Sequence, residues 1–268
     1  MRTKVACSLL VFAILASCAG LPEPGAEVSA GAWVSAQQAL VAKLEVDRLP
    51  VLRAQAASVP GLAEAARRTE KLWVSLPLTG DEASTVRLSL DGARLALEGD
   101  LPRLAVAWAL FWNPPPTGWR VIQPRDGLVL VEHTAADTLS TRLVPPLSPV
   151  EDALWAKADV RLTLKQPAPL LLGALAGRLF SVDSLDLDLQ AKGADLSGKL
   201  LLNLPDSRAA AVGLVLLALT GSLLDDKLGQ NLSWSAEAAT LVGQPFVVPQ
   251  AEAVSWARNL LGPSPGAP

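Results

Sequence analysis

The chain has 268 residues, half of them hydrophobic, with 23 basic and 26 acidic side chains and a formal net charge of −3. This length suits one large domain or two small ones with a real core, and the apolar content excludes intrinsic disorder. The balance is mildly acidic and no Lys/Arg cluster stands out, which argues against nucleic acid as a partner.

In chain order, a short cationic start (Arg2, Lys4) precedes an apolar run from Val5 to Leu15. That is the layout of a secretory signal peptide, and it is shorter than the roughly 20 apolar residues of a spanning helix. Leu15-Ala16-Ser17-Cys18 then matches the bacterial lipoprotein signature. The thiol takes a diacylglycerol, cleavage occurs before the cysteine, and the new amine is acylated. Two or three chains at about 0.8 kcal/mol per buried CH2 make a stable anchor. The alternative is an ordinary signal peptide with a chance cysteine.

On the lipoprotein reading residues 1–17 are removed and Cys18 is lipidated, outside the cytoplasm. With Cys7 discarded and Cys18 consumed, the mature chain has no disulfide, no thiol nucleophile and no thiolate metal site. It carries 21 basic side chains against 26 acidic ones. Residues 18–30, with Pro22, Pro24 and Gly25, read as a flexible tether. Residues 31–262 read as one domain and the Pro/Gly tail 263–268 as loose.

Within the domain, Gly31 to Val46 is ambiguous: Trp33 to Ala36 could be a strand, while Ala39, Leu40, Ala42 and Lys43 suit a helix. Asp47 is a plausible N-cap for a helix carrying Leu49, Leu52 and Ala56, and Pro60 could open a second with Leu62, Ala65, Ala66 and Thr69 on one side. Leu72 to Leu78 reads as a strand. Val86, Leu88 and Leu90 alternate with polar residues, the Asp91-Gly92 pair signals a turn, and Leu95 and Leu97 return. Leu101 to Trp112 reads as a helix with Leu101, Leu104, Trp108 and Phe111 on one stripe and Arg103 as its only charge. Asn113 and three prolines end it. Such a helix is either buried or in a lipid interface. Two strands follow, around the turn Arg125-Asp126-Gly127.

The second half repeats the theme. Val160, Leu162 and Leu164 form a strand, Pro167 to Leu179 a helix, and Leu185 to Leu189 and Leu196 to Leu204 a hairpin about Lys192-Gly193. Pro205-Asp206-Ser207 caps a helix running to about Leu224, and Ala209 to Leu224 contains no charge. It is too short to span comfortably, so it is a core helix or one pressed into lipid. Short strands at Leu232 to Ser235 and Leu241 to Val248 lead to a final helix opened by Pro249. The expected fold class is α+β: a central, mainly antiparallel sheet flanked by helices, with a weak internal β-β-α repeat.

No catalytic constellation survives inspection. Gly193 to Lys199 fits the first part of a phosphate-binding loop, but Leu200 replaces the Ser/Thr and a strand follows, so a hairpin turn explains it better. Asp225-Asp226 are sequence neighbours that point apart. Asp186 and Asp188 share a strand face without a third ligand, and His133, the one histidine, closes a strand. There is no Gly-x-Ser-x-Gly elbow. The expectation is a protein that is not an enzyme, with no metal and no cofactor.

Two stretches resemble a known family. One runs from Arg68-Thr69 through Leu97-Glu98-Gly99, Trp108 to Phe111, Gly118-Trp119 and Gly127 to Glu132. The other runs from Leu185 through the Gly193 turn and Leu201 to Pro205 to the helix containing Ala253-Val254 and Leu260. In order and spacing they resemble the treponemal outer-membrane lipoproteins whose amphipathic helices insert into the periplasmic leaflet. This chain departs by lacking tyrosine and by having more proline. The resemblance implies an α/β/α domain docked on the outer membrane from the periplasm, with helices whose opening and closing is linked to lipid association and permeability. Carried over by position, the lipid-contact residues are Leu101, Leu104, Trp108, Phe111 and Trp112; Val212, Leu216 and Leu219; and Val254, Trp256, Leu260 and Leu261. The partner implied is membrane lipid. The rival expectation is a carrier of lipid or another hydrophobic ligand held between sheet and helices.

Overall fold

The computed structural model describes residues 29–34, 39–58, 63–79, 87–133, 155–165, 167, 182–215, 217 and 232–253. The first helix and strand reverse the expected order. Ala30–Val34 is a short helix, α1, and Leu40–Glu45 is a strand, β1. The reason is burial: Leu40, Val41 and Lys43 are all enclosed, as a strand at the middle of a sheet requires. A 3-10 turn over Val46–Arg48 leads to α2, Pro50–Ala57, whose N-cap is Leu49 rather than Asp47. Helix α3 covers Ala63–Arg68 and ends where Thr69 begins β2, Thr69–Leu76, so Thr69 belongs to the sheet and not to the helix.

Among the described residues β3 (Leu78–Thr79) and β4 (Arg87–Leu88) pair with each other; the strand expected to run to Leu90 stops at Leu88, and Leu90 is exposed. Then come β5 (Arg94–Gly99), α4 (Arg103–Trp112), β6 (Trp119–Arg125) and β7 (Leu128–His133). The second half contributes β8 (Val160–Lys165), β9 (Ser184–Lys192), β10 (Asp195–Asn203), a helical segment over 207–215, β11 (Ser233–Glu237) and β12 (Thr240–Pro249). The lipidation site Cys18, the 167–179 helix and the Asp225-Asp226 pair lie outside the described residues.

Ten strands form one sheet in the order β11-β12-β10-β9-β8-β1-β2-β5-β7-β6, and every neighbouring pair is antiparallel. The fold class is α+β. The repeat is larger than the β-β-α unit read from the sequence. Outward from the β1/β8 seam, one half reads β1-β2-β5-β7-β6 and the other β8-β9-β10-β12-β11. Each half has three strands, a helix, an outer edge strand and a return strand inserted beside the third, the arrangement a two-fold axis through the seam produces.

Helices cover both faces. On one, Ala30 and Val34 of α1 pack on Val41, Trp73, Ala96, Leu128 and Leu130. On the other, Leu49 and Leu52 join Leu44, Val160, Leu189, Leu196 and Phe246. The register decides which face each side chain meets: Trp73 stands opposite Lys43 and Ala96, and Leu44 opposite Leu72 and Val160.

Candidate membrane interface

Helix α4 is fixed at its base and bare along its length. Leu101 is buried before the helix begins, and its carbonyl accepts hydrogen bonds from Gln123 Nε2 (2.7 Å) and from the Gly127 amide (3.1 Å). Leu101 is therefore not a lipid-contact residue, contrary to the sequence expectation. It belongs to the stem that anchors the helix. Pro102 stands extended at the N-cap, and the Asp126 carboxylate takes that role by accepting from the Arg103 amide at 3.0 Å. The Arg103 guanidinium donates to the Pro124 carbonyl. The stem also needs Gly99 (φ +155°), where a Cβ would lie 2.1 Å from the Arg68 carbonyl oxygen.

Beyond this stem no residue of α4 is buried. Leu104 is 74% exposed, Trp108 62%, Phe111 68% and Trp112 62%. The three aromatics sit at helical spacing and touch edge to face, with ring centroids 5.7 Å (Trp108–Trp112) and 5.3 Å (Phe111–Trp112) apart. Val106 and Leu110, one turn apart, are the only half-buried positions in the helix. The Asn113 amide closes it by donating to the Ala109 carbonyl at 2.9 Å, and Pro114 to Thr117 are exposed. A contiguous aromatic patch of this kind marks an interaction site on a water-facing protein.

The segment 207–215 holds the corresponding place in the second half but sits down on the sheet. Asp206 caps it, its Oδ1 accepting from the Ala209 amide at 2.7 Å. Ala210 and Gly213 are buried, and Ala209, Ala210, Leu214 and Leu217 pack on Leu202, Leu204, Trp234 and Leu241. Beneath this cluster Trp234 lies across Gly243, where a Cβ would come within 2.9 Å of the indole. Only its outer side is bare: Val212 is 54% and Val215 60% exposed. Val215 was not singled out from the sequence, although its spacing of three from Val212 could have marked it. Leu216, Leu219, Val254, Trp256, Leu260 and Leu261 carry no described side chains.

Three buried cations elsewhere have acidic partners. Lys43 donates to the Trp155 carbonyl (2.8 Å) and pairs with Glu45, Arg94 pairs with Glu132 (3.1 Å), and Arg161 with Asp188 (3.0 Å). Burial holds the Asp188 carboxyl above the ordinary aspartate range, against the pull of Arg161. These pairs lie under or beside Trp33, Trp73 and Trp155, with the cations over the rings. Among the described residues no group of His, Cys, Asp and Glu is arranged to hold a metal, and no helix is long and apolar enough to cross a membrane.

Three crystal structures of the treponemal protein TP0453 superpose on this chain. Crystal form I gives a TM-score of 0.62 at 14% identity, covering 89% of this chain and all of that one. Forms III and IV give 0.58 and 0.56, at 13% and 15% identity, over 86% of this chain. This chain has the TP0453 fold. No protein-family model matches the sequence, and no curated protein matches it. The likeness to TP0453 therefore rests on three-dimensional arrangement.

Proposed function

We propose that this protein is a non-enzymatic lipoprotein, acylated at Cys18, that associates with the periplasmic face of an outer membrane through apolar helices and perturbs the bilayer there. The observation that carries this reading is α4: four large apolar side chains more than half exposed on a helix none of whose residues is buried. Burying one Leu or Phe side chain is worth roughly 1.5–3 kcal/mol, so moving such a cluster from water into lipid drives binding without electrostatic help. Attraction to anionic lipid contributes little, because Arg103 is the only cation on the helix and it already meets Asp126. The fold shared with TP0453 and the cysteine at the lipoprotein signature support the same reading.

The test is flotation with phosphatidylcholine vesicles of a chain beginning at Ala19, which retains every described element and has no acyl group. Co-migration with vesicles and release of a trapped dye are expected. Protein left at the bottom of the gradient overturns the reading, and lipid co-purifying with that protein would point to the carrier instead.

A further inference from the structure

We infer that the aromatic face of α4 binds side-on, and selectively, to bilayers whose loosely packed headgroups leave acyl chains exposed. This rests on the membrane reading above and deepens it by naming the kind of bilayer.

The helix is tied at both ends, so it meets a surface along its length. Its start is held by the hydrogen bonds at Leu101 and Arg103 described above. Past its end, the Trp119 amide donates to the Pro116 carbonyl at 3.0 Å, and Trp119 enters β6 opposite His133, with ring centroids 4.9 Å apart. The His133 carbonyl in turn accepts from the Gly92 amide at 2.9 Å, which joins this end to the β4–β5 turn. Charge stands at both ends too. Arg103, Asp126 and the Arg68–Asp100 pair lie at one, Arg120, Glu132 and the exposed Asp91 at the other. Both ends therefore stay at headgroup level, and only side chains from the stretch between them reach the acyl layer.

Helical geometry says which side chains those are. Phe111, Leu104, Trp108 and Trp112 span about 100° of the circumference, and the half-buried Val106 and Leu110 fall on the opposite side. Ala105, Ala107 and Ala109 stand between the two faces. The bulky arc thus points away from the side that the protein covers. An interfacial helix binds through the apolar area it buries and through attraction to anionic lipid. The second contribution is small here, because the arc carries no cation and Arg103 meets Asp126. The first requires room between headgroups for two indoles and a phenyl ring, at the boundary that tryptophan favours. A tightly packed bilayer must part its headgroups to make that room, whereas a strongly curved, unsaturated one already has it. Cys18 stands eleven residues before Ser29, so on the lipoprotein reading at most about 40 Å of chain holds the domain beside the bilayer of its anchor.

The experiment floats the chain beginning at Ala19 on small sonicated and on large extruded vesicles of dioleoylphosphatidylcholine, at equal accessible lipid. Half-maximal binding to the small vesicles is expected at roughly tenfold less lipid or lower. Replacing about a third of the phosphatidylcholine by phosphatidylglycerol is expected to change either value by less than about twofold. In the double variant Phe111→Ser, Trp112→Ser, at two exposed positions, the preference for small vesicles should shrink toward unity. Equal binding to both vesicle sizes, a preference that survives in the variant, or strong tightening by phosphatidylglycerol each overturns this selectivity while leaving membrane association intact. Failure of the unsubstituted protein to float on either vesicle overturns the membrane reading and this inference together.

Discussion

Helix α4 and the segment 207–215 follow the third strand of their halves and precede the edge strand, yet one stands bare and the other packs. The difference lies in what each turns toward the sheet. Segment 207–215 presents Ala209, Ala210 and Gly213, small enough for close approach to Leu241 and Trp234. In α4 the equivalent work would fall to Val106 and Leu110, and three bulky aromatics crowd the remaining circumference. A duplicated architecture has one helix spent on folding and the other left over for contact. Apolar content alone does not separate these roles, because both helices are rich in it.

Replacing the α4 aromatics should break the comparison most visibly. Trp108→Ser, Phe111→Ser and Trp112→Ser together are expected to weaken vesicle flotation by roughly a thousandfold or more, taking about 1.5 kcal/mol or above for each lost side chain. The denaturation midpoint should hardly move, since exposed substitutions fall within about 0.5 kcal/mol. A drop in stability of core size would mean that α4 packs after all. The reciprocal variant is Leu241→Ala, at a fully buried position under the second helix. It should cost about 2–5 kcal/mol in urea unfolding and leave the vesicle affinity of the folded molecules unchanged. Equal loss of both properties would erase the distinction between the helices.

Removing a cap sharpens the contrast at a smaller scale. Asp206→Ala should lower unfolding free energy by about 0.5–2 kcal/mol, because its helix is part of the core. Asp126→Ala, at the capping carboxylate of α4, should cost clearly less, since that helix adds little packing. Urea titrations of the two variants side by side decide this. The smallest effect belongs to Asp188. Its carboxyl is raised by burial, so the protonated form suits the fold, and the associated stability is present below about pH 3.9 and lost as pH rises through the native value. Asp188→Asn should therefore gain on the natural protein as pH increases across that window. A flat difference between pH 3 and 7 would show that Arg161 fully offsets the burial.

Much of the sheet was legible because strands with one face in a core alternate. Leu185, Leu187 and Leu189 lie on one face with Asp186 and Asp188 on the other, as written. The turns at Asp91-Gly92, Asp126-Gly127 and Gly193 were equally plain, each glycine having positive φ. The first sheet strand was not, since Leu40-Val41-Ala42-Lys43-Leu44 is flanked on both sides and breaks the alternation with a buried lysine. In sequence Lys43 suits a helix beside Ala42; its burial in the strand is offset by the neighbouring Glu45 and by the Trp155 carbonyl, which only the fold brings to it.

The sequence by itself determined the alternating strands, the glycine turns, the proline stop after Trp112 and the uncharged length of the helix before it, because each follows from local sterics or from periodicity. Tertiary structure alone decided the seam between β1 and β8, the matching of the two halves, and the enclosure of Leu101 as an anchor. It also decided that α4 is uncovered, whereas Ala210 of the other helix is fully enclosed. Whether an apolar helix becomes core or surface depends on the shape of what it would have to pack against, and that shape is assembled from strands distant in the chain.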